Sequence, residues 1–481
     1  MEQSYYSIFI GGHWTEPSSD RTIDVTSAST GEVIGVVAEG NEEDVDRAVA
    51  SARRAFDAPS GWPHWEPARR ALALESLADE LEARSTEMAR KVSSQNGMPI
   101  SIANQIEAGF PPLLLRYYAE LVKNSEFEHE QPHMLGGTTT VRHEPIGVVA
   151  AIAPWNFPQA LSAFKHAPAL AAGCTMVFKP SPETVLDAML FGEAVEASDI
   201  PDGVISIVPG GREIGAYLVA HPHVDKVAFT GSTSAGRQIA ETCGRLLRPV
   251  SLELGGKSAA IVLDDAELDL TVVGEDLFAS TLLNNGQGCF LSTRILAPRS
   301  RYAEIVDLLA TFAASLQVGD PLDPATQIGP MASRVHRDRV EGFIKKGSSD
   351  GARLVAGGGR PQHLDRGWFV EPTVFADVDN ASTIAQEEIF GPVLSIIPYT
   401  DVDEAVQIAN DSSYGLAGTV WTSDPQRGKD IARRIRTGTV GINRYLVDPG
   451  APFGGVKDSG LGRELGPGAI ATFQSTKTIF S

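Results

Sequence analysis

The sequence runs to 481 residues, 42% of them apolar and 21% charged, with no low-complexity tract: an ordinary globular composition, long enough for two or three domains with separate cores. With 40 Lys and Arg against 61 Asp and Glu, the formal charge is −21, which disfavours nucleic acid and anionic membrane as partners. The start, MEQSYYSIFIGGHWTEP, has no basic and apolar secretory pattern, and the longest apolar run, IGVVAAIAPW at 146–155, is about half a bilayer-spanning helix.

In chain order, VDRAVASARRAF (45–56) and ARRALALESLADELEARSTEMARKV (68–92) have helical period and are expected to pack on the first lobe. From about residue 146, short β-branched runs alternate with helical stretches. GVVAAIAP, TMVFKP, VISIVPG and KVAFTG read as strands; PQALSAFKHAPALAAG, ETVLDAMLFGEAVEAS, EIGAYLVAH and SAGRQIAETCG read as the helices between them. Near 250 the rhythm changes, because PVSLELGG and SAAIVLD are apolar runs with no helix between. A second set follows, with strand candidates TRILAP, GPVLSIIPYT, GLAGTVWT and GTVGINR and helix candidates YAEIVDLLATFAASL, VDEAVQIAN and RGKDIARRI. The expected fold is α/β, with two doubly wound Rossmann-like lobes meeting near residue 250.

Ligands in open α/β sheets sit beyond the carboxyl ends of the strands, which draws attention to PWNFP (154–158), KPSP (179–182), FTGSTSAG (229–236) and LELGGK (252–257). GSTSAG offers amides at a strand-to-helix turn but is neither GxGxxG nor a P-loop, and a turn glycine alone would explain it. Lys179 at a strand end could meet a phosphate or ribose, or simply solvent. Glu253, in an apolar strand, either faces solvent or is buried with a raised pKa suited to a general base. Asn156 lies in a backbone stiffened by prolines and could serve an oxyanion hole or a turn.

Of the three cysteines, Cys174 and Cys243 lie in apolar or helical runs and read as inert, whereas Cys289, in NNGQGCF, sits in a polar, glycine-bearing turn. An odd, sparse set of cysteines offers neither zinc spacing nor a disulfide framework, which suits a reducing cytosol. The 10 histidines lack HExxH spacing, HPH at 221–223 reads as a surface loop, and no metal is expected.

PWNFP, FTGST, LELGGK, GQGC, EEIFGPV and PFGGVKDSGLGRE occur in one order over almost the whole length, from FIGGHW near 9 to TKTI near 479. Together they resemble the aldehyde dehydrogenase superfamily. The resemblance implies that Cys289 is the nucleophile, that Asn156 and the Cys289 amide hold the oxyanion, and that Glu253 activates the water that hydrolyses a thioester. It implies a proton relay through Lys165 and Glu464, and reads the glycines beside Cys289 as leaving room for substrate.

NAD contacts would come from Ile152, Pro154, Trp155, Asn156, Lys179, Ser181, Gly211 and Gly215. Phe229, Thr230, Gly231, Ser232, Leu254, Gly255, Glu388 and Phe390 would complete them. The family often has a glutamate three residues after the lysine; here Pro182 stands there and Glu183 follows. NADP therefore stays open, although KPSPET offers a phosphate no second cation. Leu161, Phe164, Phe290, Arg444 and Phe453 would line the aldehyde tunnel, the aromatics favouring apolar aldehydes and Arg444 a carboxylated one.

The implied domains are 1–121 and 144–252 for cofactor, 253–443 for catalysis, 122–143 and 470–481 as an oligomerisation arm of a dimer or tetramer, and 444–469 as tunnel and return segment. The rival activities are a cysteine hydrolase or acyltransferase, and a CoA-acylating dehydrogenase.

Overall fold

The computed structural model describes residues 3–481. The central strands Val148–Ile152, Thr175–Lys179 and Lys226–Thr230 are buried along their whole length, as parallel strands covered on both faces must be. Alternation divides their side chains: Val148, Ala150 and Ile152 join one apolar cluster with the helices Glu42–Asp57 and Arg212–Ala220. Val149 and Ala151 join the other with Pro67–Ala83, Phe110–Lys123 and Pro158–Ala172.

The sheet has eight strands, in the order Gly460–Leu461, Val250–Glu253, Lys226–Thr230, Val148–Ile152, Thr175–Lys179, Ile205–Ile207, Ile8–Ile10 and His13–Thr15. After Val148–Ile152 the chain builds outward on one side, then returns to add Lys226–Thr230 on the other. A topological switch point therefore lies beside Ile152, where a ligand crevice opens.

The second lobe is a seven-stranded sheet ordered Arg353–Ala356, Thr373–Ala376, Val393–Tyr399, Arg294–Pro298, Ala259–Val262, Gly418–Trp421 and Gly441–Ile442. Its pairs are parallel except at the Arg353–Ala356 edge. Two of these strands escape the sequence reading: Arg353–Ala356 is exposed and followed by glycines, and Thr373–Ala376 is only four residues long behind Pro372. The helical segment 68–92 is not continuous. It breaks at Arg84 (φ −102°, ψ 6°) into Pro67–Ala83 and Ser85–Asn96.

A three-stranded antiparallel sheet stands apart, Gln474–Phe480 pairing with Thr138–Pro145 and that with Glu128–Pro132. It starts after the helix Phe110–Lys123, which the expected arm 122–143 had cut into, and runs on to Pro145. Gly460–Leu461, from the expected return segment, pairs antiparallel with Val250–Glu253 and so extends the first lobe's sheet.

Candidate active site

Cys289 follows a turn that only a few residue types could make. After the helix Leu270–Thr281, Asn284 (φ 51°), Asn285 (φ 63°) and Gly286 (φ 75°) are all left-handed, a region that Asn tolerates and Gly prefers. The two asparagine side chains hold the turn to its surroundings. Asn284 Nδ2 donates to Asn156 O (2.9 Å), and Asn285 Nδ2 donates to Gly97 O and Pro330 O (2.9 Å each) while its Oδ1 accepts from Gly329 N (2.6 Å).

The adjacent glycines serve packing rather than substrate room. A Cβ on Gly286 would lie 2.3 Å from the Gly391 backbone, and one on Gly288 2.9 Å from Leu291. The glycine that admits the cysteine is in the other lobe's connection, since a Cβ on Gly256 would lie 2.2 Å from Cys289 O.

Asn156 donates Nδ2 to Gln287 O (2.9 Å), which fixes its amide and leaves the second N–H free; Asn156 and Cys289 border one cavity of about 260 Å³. The thiol is held well above its ordinary range by burial and by the carboxylates of Glu388 and Glu253, against which the amides of Cys289 and Phe290 pull. The amide dipoles that favour a thiolate thus work against both burial and two carboxylates. Cys174 is fully buried, donates Sγ to Phe473 O (3.3 Å), and has its thiol pushed up to about 11; Cys243 is buried too.

Glu253 ends its strand buried, with Oε2 lacking any hydrogen-bond partner. A Cβ on Gly454 would come within 2.5 Å of its Oε1. Burial, then the nearby Glu464, raise its carboxyl well above the usual range, against Lys165, Arg463 and the Gly455 amide. Lys165 donates Nζ to Glu464 Oε1 (2.9 Å) and Thr230 Oγ1 (2.6 Å), all of it buried.

A second cavity, about 480 Å³, opens at the switch point and shares Pro154, Trp155, Thr230, Gly231 and Ser232 with the first, so the two form one cleft ending at Cys289. Its far end is bordered by Ile152, Lys179, Ser181, Gly211, Gly215 and Phe229; the near end by Leu254, Gly255, Glu388 and Phe390. Each sequence candidate for the cofactor thus lies on this cleft. The walls need glycine: a Cβ on Gly255 would lie 2.5 Å from Glu388 Oε2, and one on Gly231 2.5 Å from the Phe229 ring.

Lys179 donates Nζ to Pro180 O (2.7 Å); burial lowers it to about 8, opposed by Glu183 and Glu39. Glu388 accepts from Gly256 N (2.8 Å), and burial lifts it to about 7. Two residues that the sequence did not single out also line the near end, His336 and Arg339. Both lie on Arg334–Ser349, a largely polar helix with no motif to mark them. Burial lowers His336 to about 4, so its ring is neutral and its Nε2–H faces Phe390 O (2.6 Å).

The apolar cluster against which Cys289 packs is rich in aromatic rings. Phe290 stacks on Tyr445 (4.9 Å, 11°) and on Phe157 (6.5 Å), while Phe164 meets Phe453 (5.9 Å) and Phe110 (5.8 Å); Leu161 is buried beside them. Arg444 is exposed, after a bend at Asn443 (φ 58°), while its neighbour Tyr445 is buried. Tyr445 is anchored through its hydroxyl to Thr439 Oγ1 (2.7 Å).

A cleft at the switch point of a parallel sheet, ending at a cysteine, is the layout of a nucleotide-dependent oxidoreductase. Comparison with known proteins agrees, the profile of the aldehyde dehydrogenase family matching residues 14–479. The chain belongs to the aldehyde dehydrogenase family. It is 57% identical, over 100% of its length and 99% of the relative's, to geranial dehydrogenase of Castellaniella defragrans.

Among solved structures, a Mycobacterium tuberculosis aldehyde dehydrogenase complexed with NAD+ superposes with a TM-score of 0.97 at 47% identity, covering 100% of this chain and 99% of that one. A cysteine-to-alanine mutant of aldehyde dehydrogenase C from Pseudomonas syringae, complexed with NAD+ and octanal, gives 0.94 at 40% identity, covering 100% of this chain and 96% of the other.

Proposed function

We propose that this member of the family oxidises apolar aldehydes to carboxylic acids with NAD+, through a thioester on Cys289. The observation that carries the reading is the position of the thiol, which borders the cleft with Glu388 and Phe390 and packs against the same apolar cluster as Phe290 and Tyr445. Cys289 Sγ adds to the carbonyl carbon, and the free N–H of Asn156 together with the Cys289 amide takes the developing oxyanion; one such donor is worth about 3–4 kcal/mol. Held in the cleft by residues such as Glu388 and Phe390, NAD+ would supply the positive charge that favours the thiolate and the acceptor for the hydride whose departure leaves the thioester on Cys289. Glu253 then takes a proton from the attacking water, its raised basicity fitting the task. Lys165 and Glu464 stand ready to carry that proton onward.

NAD+ over NADP+ is supported by Glu183, which lines the far end of the cleft, and by Glu39, whose carboxylate flanks Gly211. Both would repel a 2′-phosphate. Arg212 at the mouth is tied to Gln238 (2.7 Å).

Apolar substrates are supported by the aromatic walls, by the relative named for geranial and by the octanal complex. The hydrolase alternative lacks a histidine partner for Cys289, since His336 shares its cavity but is committed to Phe390 O. The buried Glu253 favours water over CoA as acyl acceptor.

The arm is read as a homodimer or homotetramer contact, because both outer strands are exposed and carry unpaired edges. Unpaired cysteines and the absence, among the described residues, of any helix long and apolar enough to cross a membrane accord with a cytoplasmic setting.

A panel of octanal, geranial, benzaldehyde and succinic semialdehyde with each cofactor tests the reading. The kcat/KM for octanal or geranial with NAD+ should exceed that for the semialdehyde by about tenfold or more, since the latter would strand a carboxylate among apolar walls. The reverse order, or a preference for NADP+, would overturn it.

A further inference from the structure

The backbone of 388–390 is held by one helix through three successive carbonyls. Arg339 donates to Glu388 O and to Ile389 O (2.6 Å each), and His336 donates to Phe390 O (2.6 Å). The two donors are three residues apart, hence on one helix face. Arg339 is steadied by Phe343 one turn on, its guanidinium 4.8 Å from that ring, and His336 N is bonded to the Ser333 cap (3.2 Å).

Three consecutive carbonyls turned toward one helix is an unusual backbone path. Phe390 accordingly has φ 62°, a conformation disfavoured for an L side chain and persisting only where the surroundings impose it. The same helix also reaches the other lobe. The rings of Trp155, His336 and Phe390 form a closed triangle, with centroids 5.0 Å, 5.3 Å and 6.0 Å apart.

We propose that His336 and Arg339 are positioning residues for the nicotinamide end of the cofactor, acting by clamping 388–390 so that Glu388 and Phe390 face the cleft beside Trp155. The inference rests on the cleft being the NAD+ site. Without the clamp, Phe390 relaxes toward ordinary backbone geometry, and Glu388 and the ring triangle lose their registration.

Calorimetric titration of the full-length protein with NAD+, and separately with AMP, tests this. AMP should reach only the end near Lys179. His336→Leu keeps bulk but loses the donor; Arg339→Gln, at an exposed position, removes the fork with little risk to folding. Each should weaken NAD+ by about tenfold, the effect of losing one or two well-formed hydrogen bonds, while AMP binding stays within about twofold of wild type. His336→Gln, which restores a donor, should recover most of the loss. Unchanged NAD+ affinity in both variants, or equal weakening of NAD+ and AMP, overturns the inference and leaves the cofactor reading standing. A wild-type protein that binds AMP but not NAD+, or neither, overturns both.

Discussion

Glu253 and Cys289 share an environment that disfavours charge on either, yet the proposed chemistry needs each of them charged in turn. On the proposed mechanism, Glu253→Gln removes only the base for thioester hydrolysis. A burst of reduced cofactor, close to one per active subunit, should survive, while steady turnover falls about 10²–10⁴-fold. Stopped-flow absorbance separates the two phases, and steady turnover at the wild-type rate would remove Glu253 from this role. For Cys289, burial and two carboxylates raise the thiol, so without cofactor its alkylation by iodoacetamide should keep climbing as pH rises past about 9, with no plateau near neutrality. Glu388→Gln deletes one of the opposing charges and should move that rise to lower pH. A wild-type plateau below about pH 8 would show that the amides of Cys289 and Phe290 outweigh the carboxylates.

Among the elements, the helix Pro158–Ala172 is the one on which the site is hung, carrying Lys165 and following directly from Asn156. Its first turn is capped from a distance, Glu107 Oε2 accepting from Gln159 N (2.7 Å), while Gln159 Nε2 donates to Asp187 Oδ2 (2.6 Å). Burial lifts Glu107 from 4.5 to about 8 and Asp187 from 3.8 to about 6. A carboxyl whose folded pKa is raised binds its proton more tightly when folded. The fold is therefore least burdened below the unfolded values, and stability is lost as pH climbs through the window up to about 8. Glu107→Gln mimics the protonated acid and keeps an acceptor for Gln159 N. The decline in Tm from about pH 5 to about pH 9 should become shallower in the variant, and identical declines in the two proteins would refute the cap's titration.

At the scale of the whole molecule, the lobes meet through single-residue contacts at the cleft: Gly256 against Cys289 O, Glu388 against Gly256 N, Trp155 against Phe390. The arm joins strands more than 300 residues apart, Thr138–Pro145 with Gln474–Phe480, and leaves Ile479 and Phe480 exposed. If that surface is the contact between subunits, light scattering should report a multiple of 51.2 kDa, and Ile479→Asp with Phe480→Asp should shift it toward one chain. A wild-type mass of one chain would remove the arm from that role.

What the sequence determines by itself is whatever has a local cause. Short β-branched apolar runs alternating with helical patterning gave both lobes and their long elements, and the residue types around Cys289, Glu253 and Asn156 stood out from their local context. The order of motifs supplied the family. The edge strand Arg353–Ala356 and its neighbour Thr373–Ala376, the break at Arg84 and the contacts of His336 and Arg339 left no such trace. A four-residue strand has too few positions to show a period, and His336 and Arg339 bond carbonyls more than 45 residues away, which nothing in the local pattern of a polar helix marks. Tertiary structure alone decided them, because partners distant in sequence become neighbours only once the second lobe's sheet and helices have packed on one another.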